Sequence, residues 1–347
     1  MIVRLLVTAN VAPFFRGGAE YHIAGTVRTL REAGHEVELL RFPFTFRPIE
    51  SIERLMAFVS ELDLAAPNGV RVDRVVSLQF PGYGVRHPDH VVWLMHQHRE
   101  VYELYAGAEP SGDLARLREA VFAFDAAALG RATQRFANSA NVAARLHRFN
   151  GLDAEPLYHP PAFAKRFYCA DPEPYVFYPS RLERLKRQDL LIEAARHMKS
   201  PLFILLAGEG GQAEYYRALV ERNNVQDRVR FLGHISEAEK LAFFARAFAV
   251  FFGPFDEDYG YVTLEAMLSS KPVLTCTDSG GPLEFVQDGE TGWIVVPDPE
   301  AVAQALDRAY AAPDQTRQMG RAGREKYDGL GIGWPKVVDA LTQRRAA

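Results

Sequence analysis

The chain has 347 residues, 48% of them hydrophobic and 24% charged, the make-up of a soluble globular protein with room for roughly two domains of about 150 residues. Its 40 basic and 44 acidic residues leave a formal charge of −4, so nothing in the balance points to a nucleic-acid partner, and any phosphate site has to be local. Cys169 and Cys276 stand far apart and match no metal or redox spacing, so reduced thiols and a cytosolic setting are expected.

The opening MIVRLLVTANVA is apolar but too short for a membrane span, and it lacks the small-residue cleavage pattern of a signal peptide; it reads as a first strand. Strands are then expected near 3–8, 36–41, 74–79, 91–95, 135–138 and 155–158, with helices at 19–33, 51–61, 113–131 and 140–149 between them. Gly34 suits the left-handed stop of the first helix, because glycine enters that conformation without steric cost. The proline-broken stretch HPPAFAKRFYCADPEPY, 159–175, reads as an interdomain linker.

A second alternating series starts at YVFYPS, 175–180, and runs through FILLAG, RVRFLG, AVFFG and PVLTC, with helices at 187–197, 212–222, 236–246 and 261–269. Ser236 and Glu239 have capping-box spacing. Further helices are expected near 298–311, 315–327 and 333–343. Alternation of this kind predicts two doubly wound α/β domains, and in such folds ligands bind outside the carboxyl ends of the strands.

Chemistry-bearing residues fall at those ends. Glu257 and Glu265, separated by seven residues in EDYGYVTLE, lie where an irregular segment gives way to a helix. A helix start between two carboxylates offers backbone N–H groups and a positive dipole end to a phosphate, with acceptors for sugar hydroxyls on either side. Taken alone, the pair also fits ordinary helix punctuation. Arg181 and Lys186 follow the first strand of the second series and could place a guanidinium fork and an ammonium on one diphosphate, although an exposed charged loop reads equally well there.

Gly17 and Gly18 sit between the first strand and helix without the dinucleotide fingerprint, and a plain turn is their alternative. The loop AGEGG, 207–211, could bring backbone atoms to a nucleotide; a nicotinamide cofactor is discounted, because RVRFLGH ends in His234 where an acidic residue would be wanted. Gly280 and Gly281 fit either close approach to a ligand or a tight turn. Asp256 and Asp258 form a D-x-D that could hold a divalent ion, but no second acidic cluster is evident, and metal independence is expected. His96 and His98 follow the strand VVWLM, where a histidine can face substrate oxygens or a structural packing site.

These segments resemble the group 1 retaining glycosyltransferases of the GT-B fold. The resemblance is carried by FRGGAE (15–20), SRLERLK (180–186), LLAGEGG (205–211), VRFLGHIS (229–236), EDYGYVTLEAMLSSKPV (257–273) and DSGGPLEFVQDGETGWIV (278–295), in family order. It implies two Rossmann-like domains facing each other across a cleft: 1–165 for the acceptor and 166–330 for the nucleotide sugar, with a helix at about 331–347 packing back on the first domain. By position, the resemblance gives Arg181, Lys186, Gly17, Gly18, Tyr261 and Val262 to the donor diphosphate and Glu265 to the ribose. Gly208, Leu232, Gly233 and His234 fall in the vicinity of the base, Tyr259 and Gly260 near the donor sugar, and Glu257 and His96 in the catalytic set. It further implies transfer from a UDP- or GDP-sugar to a glycan or lipid-linked glycan, with no cofactor or metal.

One departure stands out. Many members of the family place a histidine after the strand that here reads RVVSLQ, whereas this chain has Gln79, Phe80 and Pro81, which shifts the expectation to His96. The first 160 residues hold 17 arginines, 18 acidic residues and no lysine, so their charge predicts no membrane docking. A local basic face of Arg145, His147 and Arg148 is the one candidate for peripheral contact at the inner membrane face, against a simply solvated helix face. Two other activities remain open: a noncatalytic sugar-nucleotide binding module, which would bind donor without turnover, and a sugar-nucleotide epimerase or phosphorylase on the same fold.

Overall fold

A computed structural model of the chain describes residues 2–14, 17–105 and 112–343. The backbone divides into two units, residues 1–159 with 333–347 and residues 160–332. Both are parallel sheets wrapped by helices.

The first unit opens with β1 (Arg4–Val11), α1 (Gly18–Glu32), β2 (Glu36–Pro43) and α2 (Ile49–Glu61). It continues through β3 (Arg74–Ser77), β4 (His90–Leu94), α3 (Asp113–Arg131), β5 (Gln134–Ala137), α4 (Ala140–Asn150) and β6 (Glu155–Pro156). The strands lie in the order β2-β1-β3-β4-β5-β6, and β1 pairs with β2 from Arg4↔Glu36 to Val11↔Pro43. Alternation in β1 sends Leu5, Val7 and Ala9 to one face, where they meet Ile23, Val27 and Leu30 at helical spacing on α1. On the other face Val92 and Leu94 pack with Met56 of α2 and Leu117 and Val121 of α3. Each such side chain taken fully out of water contributes roughly 1.5–3 kcal/mol. Gly34, at φ +88, stops α1 in the left-handed conformation, and the His35 N–H reaches back to the Leu30 carbonyl at 3.2 Å.

The second unit contains β7 (Tyr175–Pro179), α5 (Gln188–Ala194), β8 (Phe203–Ala207), α6 (Ala213–Arg222), β9 (Val229–Gly233), α7 (Glu237–Arg246) and β10 (Ala249–Phe251). It goes on with α8 (Tyr261–Leu268), β11 (Val273–Cys276), α9 (Pro282–Phe285), β12 (Gly292–Val295), α10 (Pro299–Ala311) and α11 (Pro313–Gly329). β12 was not among the expected strands; it is a four-residue edge strand whose apolar run is too short to show a period. Ser236 and Glu239 form the reciprocal capping box, with Glu239 N–H to Ser236 Oγ at 3.3 Å and Ser236 N–H to Glu239 Oε2 at 2.7 Å. The sheet order is β12-β11-β10-β7-β8-β9. The unit's first strand is therefore central and the order reverses between β7 and β10, the topological switch point where open α/β sheets bind ligands.

The chain then returns to the first unit as α12 (Trp334–Thr342). Trp334 covers Gly25 of α1 so closely that a Cβ there would lie 2.4 Å from the indole ring. Buried Arg74 on β3 donates to the carbonyls of Leu341 and Gln343 at 2.8 and 3.0 Å, and its Nε bonds Asp89 at 3.0 Å. No described helix is long and apolar enough to cross a membrane.

Candidate functional site

The loops after β7 and β10 meet at the switch point. Phe255 N–H bonds the Leu185 carbonyl at 2.8 Å, joining the two loops through their backbones. Lys186 and Glu257 face each other across this junction in a direct hydrogen-bonded ion pair, each side chain 18% exposed. The Tyr178 hydroxyl donates to the Lys186 carbonyl, and the Lys186 ammonium lies 5.8 Å from the centre of the Phe252 ring. The structure thus puts in contact the two groups that the sequence suggested for diphosphate and for transferred sugar.

Glu257 is fixed through its backbone to the turn after β11. Its N–H bonds the Ser279 carbonyl at 2.9 Å, and its carbonyl accepts from Gly281 N–H at 2.8 Å. A Cβ on Gly281 would fall 2.6 Å from the Tyr259 carbonyl, so this glycine serves contact between loops. Gly208 and Gly210 are used in the same way: added Cβ atoms would lie 2.2 Å from the Ser180 carbonyl and 2.4 Å from that of Leu182. The close approach expected of AGEGG toward a ligand is, for these two glycines, an approach to the loop that carries Arg181 and Lys186. Arg181 is exposed, and its carbonyl accepts from the amide of buried Gln188 at 2.9 Å.

Arg187 completes the frame, a role sequence reasoning missed by treating part of this basic run as solvated. It sits at φ +51, and its guanidinium donates to the carbonyls of Gly253 at 2.9 Å and Pro254 at 2.8 Å. Two further bonds, of 2.8 and 2.7 Å, reach the carboxylate of Asp278. One side chain ties together the loops after β7, β10 and β11.

α8 begins at this junction. Its N-cap Gly260, at φ +89, brings no side chain to its first N–H groups, which leaves Tyr261 and Val262, both half-buried, to open the helix. Tyr259 is buried with its ring edge-on to Tyr261 at 5.2 Å and to Phe285 at 5.9 Å, so its bulk supports the helix start. Glu265, one turn further on, is 6% exposed, and its Oε1 lies 3.0 Å from Lys240 Nζ of α7. Burial raises the Glu265 carboxyl above its ordinary range, with Lys240 pulling the other way. For Lys240 burial lowers the pKa, but the facing carboxylates of Glu265 and Glu237 outweigh it and the ammonium is held above its usual value. Leu232 and Gly233, at the end of β9, are half-buried; the following His234 is exposed.

Residues 164–326 match the family described as glycosyl transferases group 1. That segment, which makes up most of the second unit, belongs to the group 1 glycosyltransferases. Human alpha-1,3/1,6-mannosyltransferase ALG2 is 29% identical over 163 residues, 42% of this chain and 39% of that protein. The chain spans about two fifths of the length of the curated relatives it matches first. Among solved structures, sucrose-phosphate synthase from Thermosynechococcus elongatus superposes with a TM-score of 0.78 at 21% identity, covering 97% of each chain. Anabaena Alr3699/HepE in complex with UDP and glucose gives 0.73 at 17% identity, covering 97% of this chain and 98% of that one. The two Rossmann-like units are those of the GT-B fold.

Arg181, Lys186, Glu257 and Glu265 lie inside the segment that matches the group 1 glycosyltransferases, and the first-unit candidates lie outside it. Gly17 is the exposed, extended N-cap of α1 and Gly18 its first residue; Phe15 and Arg16 of the FRGGAE motif fall outside the described residues. His96 is half-buried, its Nδ1 2.7 Å from the Gln97 carbonyl oxygen. His98 is buried and stacked on Phe80 at 5.2 Å, and burial drives its pKa down to about 4, which keeps the ring neutral. Gln79, where many group 1 members have histidine, accepts the Asn10 N–H at 2.9 Å and so joins the ends of β1 and β3. The expected basic face on α4 needs correction. Arg145 is 6% exposed and 3.3 Å from the buried Glu103 carboxylate, which leaves His147 and Arg148, with His147 bonded to Asp153 at 2.9 Å.

Proposed function

We propose that this chain is a retaining glycosyltransferase that moves a sugar from a UDP- or GDP-sugar to a glycan or lipid-linked glycan acceptor without a metal ion. The observation that carries the reading is the Lys186–Glu257 pair, set where the sheet order reverses and beside the start of α8. Lys186, Arg181 and the first N–H groups of α8 take the diphosphate, a role in which preorganised positive charge replaces a divalent ion as the leaving group gains charge. Glu257 orients hydroxyls of the transferred sugar, and Glu265 holds the ribose.

In this reading the bond between the anomeric carbon and the phosphate oxygen breaks, and its electron pair goes to the nucleoside diphosphate. The acceptor hydroxyl attacks the oxocarbenium-like carbon from the face the phosphate leaves. Its proton passes to a phosphate oxygen, so no protein nucleophile is required. His96 is assigned to the developing charge near the acceptor. Both cysteines are free thiols, which fits the cytoplasm as the compartment.

The test is a thermal-shift screen with UDP-, GDP- and ADP-sugars, followed by a donor-hydrolysis assay on each one that stabilises the protein. One nucleotide should raise Tm, because a ligand that binds only the folded state stabilises it. Absence of any response would remove the donor-site reading, and binding without hydrolysis or transfer would favour a noncatalytic binding module.

A further inference from the structure

A cavity of about 540 Å³ opens at the amino-terminal edge of the second unit's sheet, the edge opposite Lys186 and Glu257. Its walls come from the segment at 169–172 that leads into β7, from Phe248 ahead of β10, from the turn at 270–272 between α8 and β11, and from α11. Gly320 explains how α11 comes to line it. A Cβ there would sit 2.1 Å from the Ser270 carbonyl, so only glycine lets α11 rest on that turn. Arg317 and Arg321, four residues apart and flanking Gly320 in the sequence, therefore share the helix face that borders the cavity.

Lys271 is the built part of the site. It is 4% exposed, and its Nζ donates to the Ala170 carbonyl at 2.9 Å. Burial pulls its pKa below the usual lysine value, nearby Cys169 and Asp171 work against that, and Arg317 adds to it, so the two cations feel each other. Among the described residues neither Lys271 nor Arg321 has an ion-pair partner, and Arg317 reaches only a fully exposed Asp314 at 3.5 Å. A buried ammonium without a carboxylate is costly unless an anion joins it.

We propose that this cavity binds a small phosphomonoester. Three cations against Asp171 leave two net positive charges, the complement of a phosphomonoester dianion at neutral pH. The Arg317 and Arg321 forks and the Lys271 point charge take the phosphate oxygens, while Asp171 and Ser270 face the hydroxyls of its polyol part. The volume exceeds what inorganic phosphate fills. Because α8 runs from Gly260 at the nucleotide end of the sheet to Ser269 beside this cavity, the two sites lie at opposite ends of one helix, and their ligands do not compete.

Calorimetric titration of the full chain with ribose 5-phosphate tests the assignment. Saturable binding is expected, unchanged when UDP is present at saturation, and weakened about tenfold by Arg321→Ala and by Arg317→Ala, both exposed positions that leave the core intact. Arg148→Ala in the first unit should leave it unchanged. Lack of saturable binding, displacement by UDP, or equal affinity in Arg321→Ala would overturn the proposal. Equally tight binding of inorganic phosphate, or binding to phosphatidic acid vesicles alone, would overturn the ligand class.

Discussion

Arg187 holds Asp278 with two hydrogen bonds of 2.8 and 2.7 Å while its backbone sits at φ +51, a conformation that usually selects glycine. The clamp is kept against a local backbone cost of about 1 kcal/mol. Arg187→Ala should lose roughly 2–4 kcal/mol, since the Asp278 carboxylate and the Gly253 and Pro254 carbonyls lose a shared donor. Arg187→Gly should be about 1 kcal/mol less harmful than Arg187→Ala, because it relieves the strain while losing the same bonds. Urea unfolding of the two variants compares them directly, and equal midpoints would show that the left-handed conformation is not strained.

The two members of the Lys186–Glu257 pair should separate by assay. Glu257→Ala is expected to lower turnover by about 10²–10³ with a smaller change in nucleotide affinity, while Lys186→Ala weakens both. Initial rates with a hydrolysed donor, set beside nucleotide Kd values, provide the check. Full activity in Glu257→Ala would take that residue off the catalytic list.

Lys240→Met should make stability fall more steeply with pH than it does in the parent. Without the ammonium, the buried Glu265 carboxyl rises further and keeps its proton in the folded state to higher pH. A carboxyl raised by folding contributes stability that is present below its unfolded pKa and is lost as pH rises through its folded pKa. The variant should therefore fall behind the parent by roughly 2–4 kcal/mol at pH 8 and by much less at pH 5. Adding Glu265→Gln should remove the difference between the two pH values.

Asp125 supplies a second pH effect, in the first unit. It is fully buried, accepts from the Tyr83 and Tyr102 hydroxyls at 2.7 Å each, and is pushed up to about 7 by burial against those two bonds. The folded chain holds this proton over a window in which the unfolded chain has released it, so stability is lost as pH rises from about 4 to about 7. Three pKa units at about 1.4 kcal/mol each give roughly 4 kcal/mol. Asp125→Asn should gain on the parent across that window and run parallel to it above. Unfolding midpoints at pH 4.5 and 7.5 measure the convergence.

Much of the fold was legible because its signals are local. Buried parallel strands such as RVVS and HVVWL, helices with apolar residues at spacings of three and four, and the Ser236–Glu239 cap all lie within one element. The candidate site was legible only as positions at strand ends. Arg187 with Asp278 and Lys240 with Glu265 are pairs 91 and 25 residues apart, and spacing does not reveal which cation of a basic run turns inward. The glycines are ambiguous for a related reason. A missing Cβ signals close approach without naming what approaches, and at Gly208, Gly210 and Gly281 the neighbour is backbone.

The placement of α12 bears on how this chain is made. The second unit is one continuous stretch, residues 160–332, interrupting a first unit whose helix α12 is made only after it. During translation the second unit has its whole sequence in hand while α1 still exposes the patch around Gly25 that Trp334 will cover, and while Arg74 still lacks the carbonyls of Leu341 and Gln343. The first unit, begun earlier in the chain, therefore depends on residues made after the whole of the second, and its packing is incomplete until 333–343 have left the ribosome.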